Sequence, residues 1–209
     1  MIWVTNHEKK SKMEGIQSIS TACTMNPICI ARMKIGLAVC AHCFSEALLK
    51  IRKPLLAHLI SNTEILTTRL LTMEEAALVP ITSLIGRIES FGDVQNVTQA
   101  INFIRIIKAH PYQNFGIWSK NINIWAQAFE KEGKPKNCTY VHSSLYLDTP
   151  DFILPRFRKW VDHVFTVWNK KTYDKLWRGH PSECAGIKCM TCLKCYKKGG
   201  QYYINERLR

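Results

Sequence analysis

Between Ser45 and about Met73, apolar residues recur at three- and four-residue spacings through Leu48, Leu49, Leu55, Leu56, Leu59, Ile60, Leu66, Leu70 and Leu71, the stripe of an amphipathic helix. Pro54 interrupts it, so the stretch reads as helices rather than one helix. Thr72, followed by Glu74 and Glu75, supplies a cap and an acidic first turn for a short helix over Met73 to Leu78. Beyond Pro80 the period changes. Strand-like runs at Leu84 to Ser90, Phe115 to Ser119, Thr139 to Ser143 and Val164 to Trp168 alternate with helical patterns over Val97 to Ala109, about Ile122 to Lys131, and Phe152 to Val161. Strands joined through helices require right-handed crossovers and so run parallel. The pattern predicts an α/β chain with a mainly parallel sheet and crossover helices, and an open sheet or part of a barrel satisfies it equally.

The flanks differ in character. Residues 1–20 are polar and basic, with Lys9, Lys10, Lys12 and Gln17-Ser18-Ile19-Ser20, and predict a loose or edge-lying start. The β/α core spans 84–169, and cysteine-rich segments lie at both ends, over 21–45 and 180–200. A length of 209 residues predicts a single domain, 1–209. No uninterrupted apolar run of about 18 residues and no signal-like N-terminus is present, which predicts a cytoplasmic protein with no membrane partner.

Charge adds a class of partner. Lys and Arg exceed Asp and Glu by enough to leave a formal net charge of +13, a field that attracts nucleic acid or another polyanion. Arg52, Lys53, Arg156, Arg158, Lys159, Lys170, Lys171, Lys175, Arg178, Lys197 and Lys198 are available for phosphate contacts. There is no Walker loop and no Gly-x-Gly-x-x-Gly, which disfavours nucleotide binding of those two kinds, and no Ser, His and acid spacing identifies a hydrolase.

The most specific signal is cysteine. Of nine, only Cys138 stands apart. Cys184-x4-Cys189-x2-Cys192-x2-Cys195 places four thiols in twelve residues, and its two-residue gaps let a tight loop turn successive sulfurs toward one point. Three cysteines so spaced match the run that wraps a 4Fe-4S cubane in bacterial ferredoxins, whereas structural zinc more often uses two separated Cys-x2-Cys knuckles. The other group is Cys23-x5-Cys29-x10-Cys40-x2-Cys43, where Pro27 and Gly36 predict a loop folded around something. Phe44 and Tyr196 follow the last thiol of each group and are placed to keep water from a cluster. His42 and His180 lie beside the thiols and are read as loop histidines. The cofactor expected is one 4Fe-4S cluster or two, with zinc as the alternative, and both a separate cluster per group and one shared between groups remain open.

Polar residues collect where the strands end, the position at which open sheets and barrels bind ligands. Arg87, Ser90 and Asp93 after the first parallel strand, Lys120 after the second and His142 in the third are candidates for an anion or polar substrate. The competing reading of Gly92-Asp93 is a turn followed by a helix cap.

In their order along the chain, several motifs resemble the bacteriophage gene product eighty-eight family. They are Cys29, Cys40-Ala41-His42-Cys43-Phe44, Ser61-Asn62-Thr63-Glu64, Arg87 with Ser90-Phe91-Gly92-Asp93, Ile117-Trp118-Ser119-Lys120 and Cys189-x2-Cys192-x2-Cys195-Tyr196, covering about residues 15 to 200. The resemblance implies a viral or mobile-element protein of the host-cell cytoplasm, a partial TIM-like barrel, and a metal-bound site near Arg87 to Asp93; it carries no settled biochemical role. The expected function is a 4Fe-4S iron-sulfur protein of phage or mobile-element type whose activity is undetermined, a redox or radical-type enzyme being one option. The alternative is a basic nucleic-acid-binding or host-protein-binding module stapled by an iron-sulfur or zinc site.

Overall fold

The computed structural model describes residues 1–184 and 186–208. Within them the strands are β1 Thr5–Asn6, β2 Gln17–Ile19, β3 Ile85–Ile88, β4 Asn114–Ser119, β5 Cys138–Ser143, β6 His163–Trp168 and β7 Tyr203–Arg207. The helices are α1 Pro27–Met33, α2 Phe44–Ile51, α3 Lys53–Thr68, α4 Met73–Ala77, α5 Val97–Ala109, α6 Ile122–Glu132, α7 Pro155–Arg158, α8 Lys170–Leu176 and α9 Cys189–Cys192. The strands form one sheet and stand side by side in chain order. β1 is antiparallel to β2, and every other neighbouring pair is parallel.

Chain order has a geometric consequence. When each crossover is right-handed and advances the sheet in one direction, the connecting helices fall on one face. α5 accordingly packs against α3, α4 and α6. This is the strand order of a β/α barrel, left open here because β1 and β7 do not pair.

Side-chain alternation gives the sheet two distinct faces. Toward the helices point Ile88, Phe115, Ile117, Cys138, Tyr140 and Val164, which join Phe103, Ile104, Trp125 and Phe129 in the main core. Trp125 is fully buried, with ring contacts to Phe103, Phe129 and Tyr140, and such aromatic pairs each add about 0.5 to 1.5 kcal/mol beyond area burial. Asn96 caps α5 by accepting a hydrogen bond from the Gln99 amide, and Thr72 with Glu75 forms a full capping box on α4. On the opposite face Ile16, Ile85 and Tyr196 form a smaller cluster with Met13, Trp118, Cys189, Leu193 and Cys195, so the second cysteine segment covers the side that the helices leave bare.

The start of the chain, expected to be loose or edge-lying, supplies the edge strand β1, antiparallel to β2, in which Ser18 and Ile19 are buried. Gln17 closes its own polar balance, with Oε1 accepting from the Thr82 and Ser83 amides at 2.7 and 2.9 Å. The helix expected over Phe152 to Val161 contracts to α7, a single turn. The first cysteine stretch is not a bare loop, since it contains α1 and a 3-10 turn over Val39–His42. No helix among the described residues is long and apolar enough to cross a membrane.

Candidate metal centres

The first cysteine group is assembled at the carboxyl ends of β2, β3 and β4. Cys23 lies just beyond β2, buried with Ala22, Leu49, Leu59 and Phe91 and flanked by Cys29 and Cys43. Asn26 caps α1, its Oδ1 accepting from the Ile28 and Cys29 amides, while its Nδ2 donates to the Asp93 carbonyl at 2.6 Å. Arg32, one turn further, reaches the Asp93 carboxylate at 3.2 Å and Asn121 Oδ1 at 2.6 Å. Cys29 is therefore held against the ends of β3 and β4. Cys43 is the N-cap of α2, and its sulfur accepts from the Glu46 amide at 3.5 Å.

These four thiols sense one another. The hydrogen bond with Cys23, backbone N–H groups of Glu46 and Ser45, and the nearby Lys120 draw the Cys43 thiol down to about 6, while the same partner and burial push Cys23 up. Burial raises Cys29, and Asp93, Glu89 and Cys40 add to the effect. Cys40 is raised by burial against the opposing pull of Lys120 and Arg32.

The second group lies on the helix-free face. Cys184 donates its amide to the Asn205 carbonyl at 2.7 Å and accepts from Lys12 Nζ at 2.8 Å, an ammonium that also meets Glu206 at 2.6 Å. The Cys189 amide bonds the Lys12 carbonyl. One turn of α9 carries Cys189 and Cys192, then Leu193 in the left-handed region at φ 53° and a 3-10 turn over Lys194–Tyr196 bring Cys195 round. Burial raises Cys195, helped by Cys184, Cys189 and Cys192 and opposed by Arg87. Cys189 is raised by burial, with Lys12 and Arg87 opposing and Cys184 and Cys192 adding.

No thiol of one group is among the strongest influences on a thiol of the other. All nine cysteines are free. The two groups are open arrangements: among the described residues no three Cys, His, Asp or Glu side chains stand close enough together to hold one metal ion. Cys138 is remote from both, buried at the start of β5, where its thiol donates to the Pro135 carbonyl and burial pushes it up to about 12. Of the two aromatic neighbours, Tyr196 is 7% exposed and shields its group, whereas Phe44 is 71% exposed and does not.

The anion-binding candidates separate. Asp93 is saturated, accepting from Ser119 Oγ, the Lys120 amide, its neighbour Val94 and Arg32, and so acts as the knot tying β3 to β4. Lys120 Nζ reaches Ser143 Oγ at 2.9 Å on the first-group side. The Ser90 hydroxyl is buried without a partner. Arg87 lies on the helix-free face, stacked 4.0 Å over Trp118, with its buried Nε unpartnered. His142 turns to Asp151 at 2.9 Å.

Sequence reasoning missed Glu89. Its φ is 60°, a region that non-glycine residues enter only at a cost, and its carboxylate is fully buried. It accepts from the Thr21 amide and hydroxyl at 3.0 and 2.6 Å and from Gln99 Nε2 at 2.8 Å, fastening the segment that leads into Cys23. Burial lifts its pKa to about 7. The Glu-Ser-Phe-Gly run carries no local signal of this role, because an acid at a strand end ordinarily faces water. Comparison with family models, with curated proteins and with solved structures returns no match.

Proposed function

We propose that the chain is an iron-sulfur protein with two separate centres, one on Cys23, Cys29, Cys40 and Cys43 and the other on Cys184, Cys189, Cys192 and Cys195. The observation that carries this reading is that the thiols gather in two places, Cys23, Cys29 and Cys43 packing in one apolar cluster and Cys189 and Cys195 in another on the helix-free face. The donor chemistry suits it: four soft thiolates per set are the ligands iron-sulfur clusters take. Free thiols at all nine positions fit a reducing, cytoplasmic setting.

When bound, such clusters supply one-electron chemistry. The chain's own residues would set how readily each centre accepts charge. Lys12 and Arg87 place positive charge beside the second set, while the first has Arg32 and Lys120 but also Glu46, Glu89 and Asp93 around it. The amide of Glu46 donates to Cys43 Sγ, a contact of the kind that tunes cluster potentials. Burial on the Tyr196 side would exclude water from the second centre.

Anaerobic purification followed by iron, sulfide and zinc analysis tests the proposal. About eight iron and eight sulfide per chain are expected if both sets hold a cubane, with a brown colour and a broad absorption near the visible edge. Cys192→Ser and Cys40→Ser should each remove one centre and leave the other. Stoichiometric zinc in a colourless preparation would overturn the iron-sulfur reading.

A further inference from the structure

At the amino-terminal end of the sheet, opposite the first cysteine group, lies a cleft of about 370 Å³ lined by Asn114, Lys136, Asn137, Cys138, Thr139, Tyr196, Lys197 and Lys198. Its lining contains three lysines and no acid. All three lysines are exposed, and among the described residues none makes an ion pair. That sets them apart from Arg52, Lys170 and Arg178, whose charges are met by Glu8 and Asp174. Three unneutralised ammonium groups around one cleft repel one another, an arrangement that a polyanion relieves.

A second observation narrows the polyanion. Tyr112, 88% exposed, belongs to the turn that leads into Asn114, next to Gln113, whose carbonyl Asn137 of the cleft holds. Its loop is not adrift. Asn137 Nδ2 donates to the carbonyls of Ile107, His110 and Gln113, at 3.2, 3.0 and 2.9 Å, and so braces that turn against the cleft. The other wall is braced too: the His163 ring lies 2.9 Å from both the Lys197 and Gln201 carbonyls, and Thr139 Oγ1 donates to the Cys195 carbonyl at 2.6 Å. An exposed aromatic ring on a braced turn near unneutralised positive charge is how single strands are bound, bases stacking on the ring while lysines follow the phosphates.

We propose that this cleft binds single-stranded nucleic acid, Lys136, Lys197 and Lys198 taking backbone phosphates and Tyr112 stacking a base. Binding needs no metal on the cysteines, although Tyr196 and the Cys195 carbonyl form part of the cleft wall. The cleft lies directly after Cys195, so a bound strand runs beside the second cysteine group.

The test is fluorescence anisotropy of a labelled single-stranded oligonucleotide of about 15 residues against the purified full chain at several salt concentrations. Three phosphate contacts give a slope of log K against log salt near −2, roughly a twenty-fold loss between 50 and 200 mM. Combined Lys136→Gln, Lys197→Gln and Lys198→Gln should remove most of that slope. Tyr112→Ala should weaken binding about five- to a hundred-fold with the slope unchanged. All four residues are exposed and outside both cysteine groups, so iron and sulfide content should not move, and loss of binding cannot be mistaken for loss of a cluster. Absence of binding at 50 mM salt, an unaltered slope in the triple variant, or a duplex or heparin binding as tightly as the single strand with Tyr112→Ala silent would each overturn the proposal.

Discussion

Glu89 ties the stability of the fold to pH in a direction opposite to that of most surface carboxylates. Its pKa rises from an ordinary 4.5 to about 7 because burial disfavours the charged form, while hydrogen bonds from Thr21 and the Gly92 amide recover only part of that loss. The native state therefore holds the proton more tightly than the unfolded chain. Below 4.5 both states are protonated and the stabilisation is complete; as pH rises through 7 it is lost. With each pKa unit worth about 1.4 kcal/mol, the change across that window is on the order of 3 kcal/mol. Glu89→Gln is nearly isosteric, keeps an oxygen for the Thr21 amide, and cannot ionise. Urea unfolding followed by tryptophan fluorescence, run anaerobically on both proteins from pH 4.5 to 8, should show wild type losing about 3 kcal/mol relative to the variant. A difference between the two that stays constant to within about 1 kcal/mol over this range would refute the reasoning.

Further outcomes follow from particular contacts. Trp125→Ala should cost about 3 to 5 kcal/mol in chemical denaturation, since its buried ring joins Phe103, Phe129 and Tyr140. Asn102→Ala should cost on the order of 3 kcal/mol by the same measurement, because the Asn102 side chain bonds the Leu66 and Arg69 carbonyls and the Leu71 amide, groups left unpaired without it. Gly116→Ala should destabilise by about 1 to 3 kcal/mol, its new methyl lying 2.6 Å from Trp118 and 2.8 Å from Tyr196, with faster hydrogen exchange around Cys195 as the local sign. Cys138→Ala should leave metal content unchanged in elemental analysis, since that thiol belongs to neither set.

Most of the central β/α unit is legible from periodicity alone. β3, β4, β5, β6, α5 and α6 bury strong apolar stripes, and their alternation by itself requires a parallel arrangement. What escaped has a common physical character. β2 is three residues long and carries Gln17 and Ser18, whose partners come from β1, from His7 and from Thr82 and Ser83, so nothing within the segment marks it as interior. β7, Tyr203-Ile204-Asn205-Glu206-Arg207, is a last strand in which only Ile204 and Asn205 are buried, too little apolar pattern to read. α8 is short and rich in lysine, and rests on the cap made by Asn169. At the candidate site the membership of the two cysteine groups was visible in spacing. Their separation was not, because Lys12 and Arg87, which border one set alone, come from segments far from it in sequence.

Lys12 meets Cys184 and Glu206, partners 172 and 194 residues downstream, and Glu14 meets Lys188. A ribosome extending this chain would long since have released the first segment before those residues emerged. The region around Met13 and Ile16 must then wait, its side of the sheet uncovered, until Cys189, Leu193, Cys195 and Tyr196 are made and close over it. The second cysteine set can therefore be fastened to the sheet only after the strands that precede it in the chain have been made.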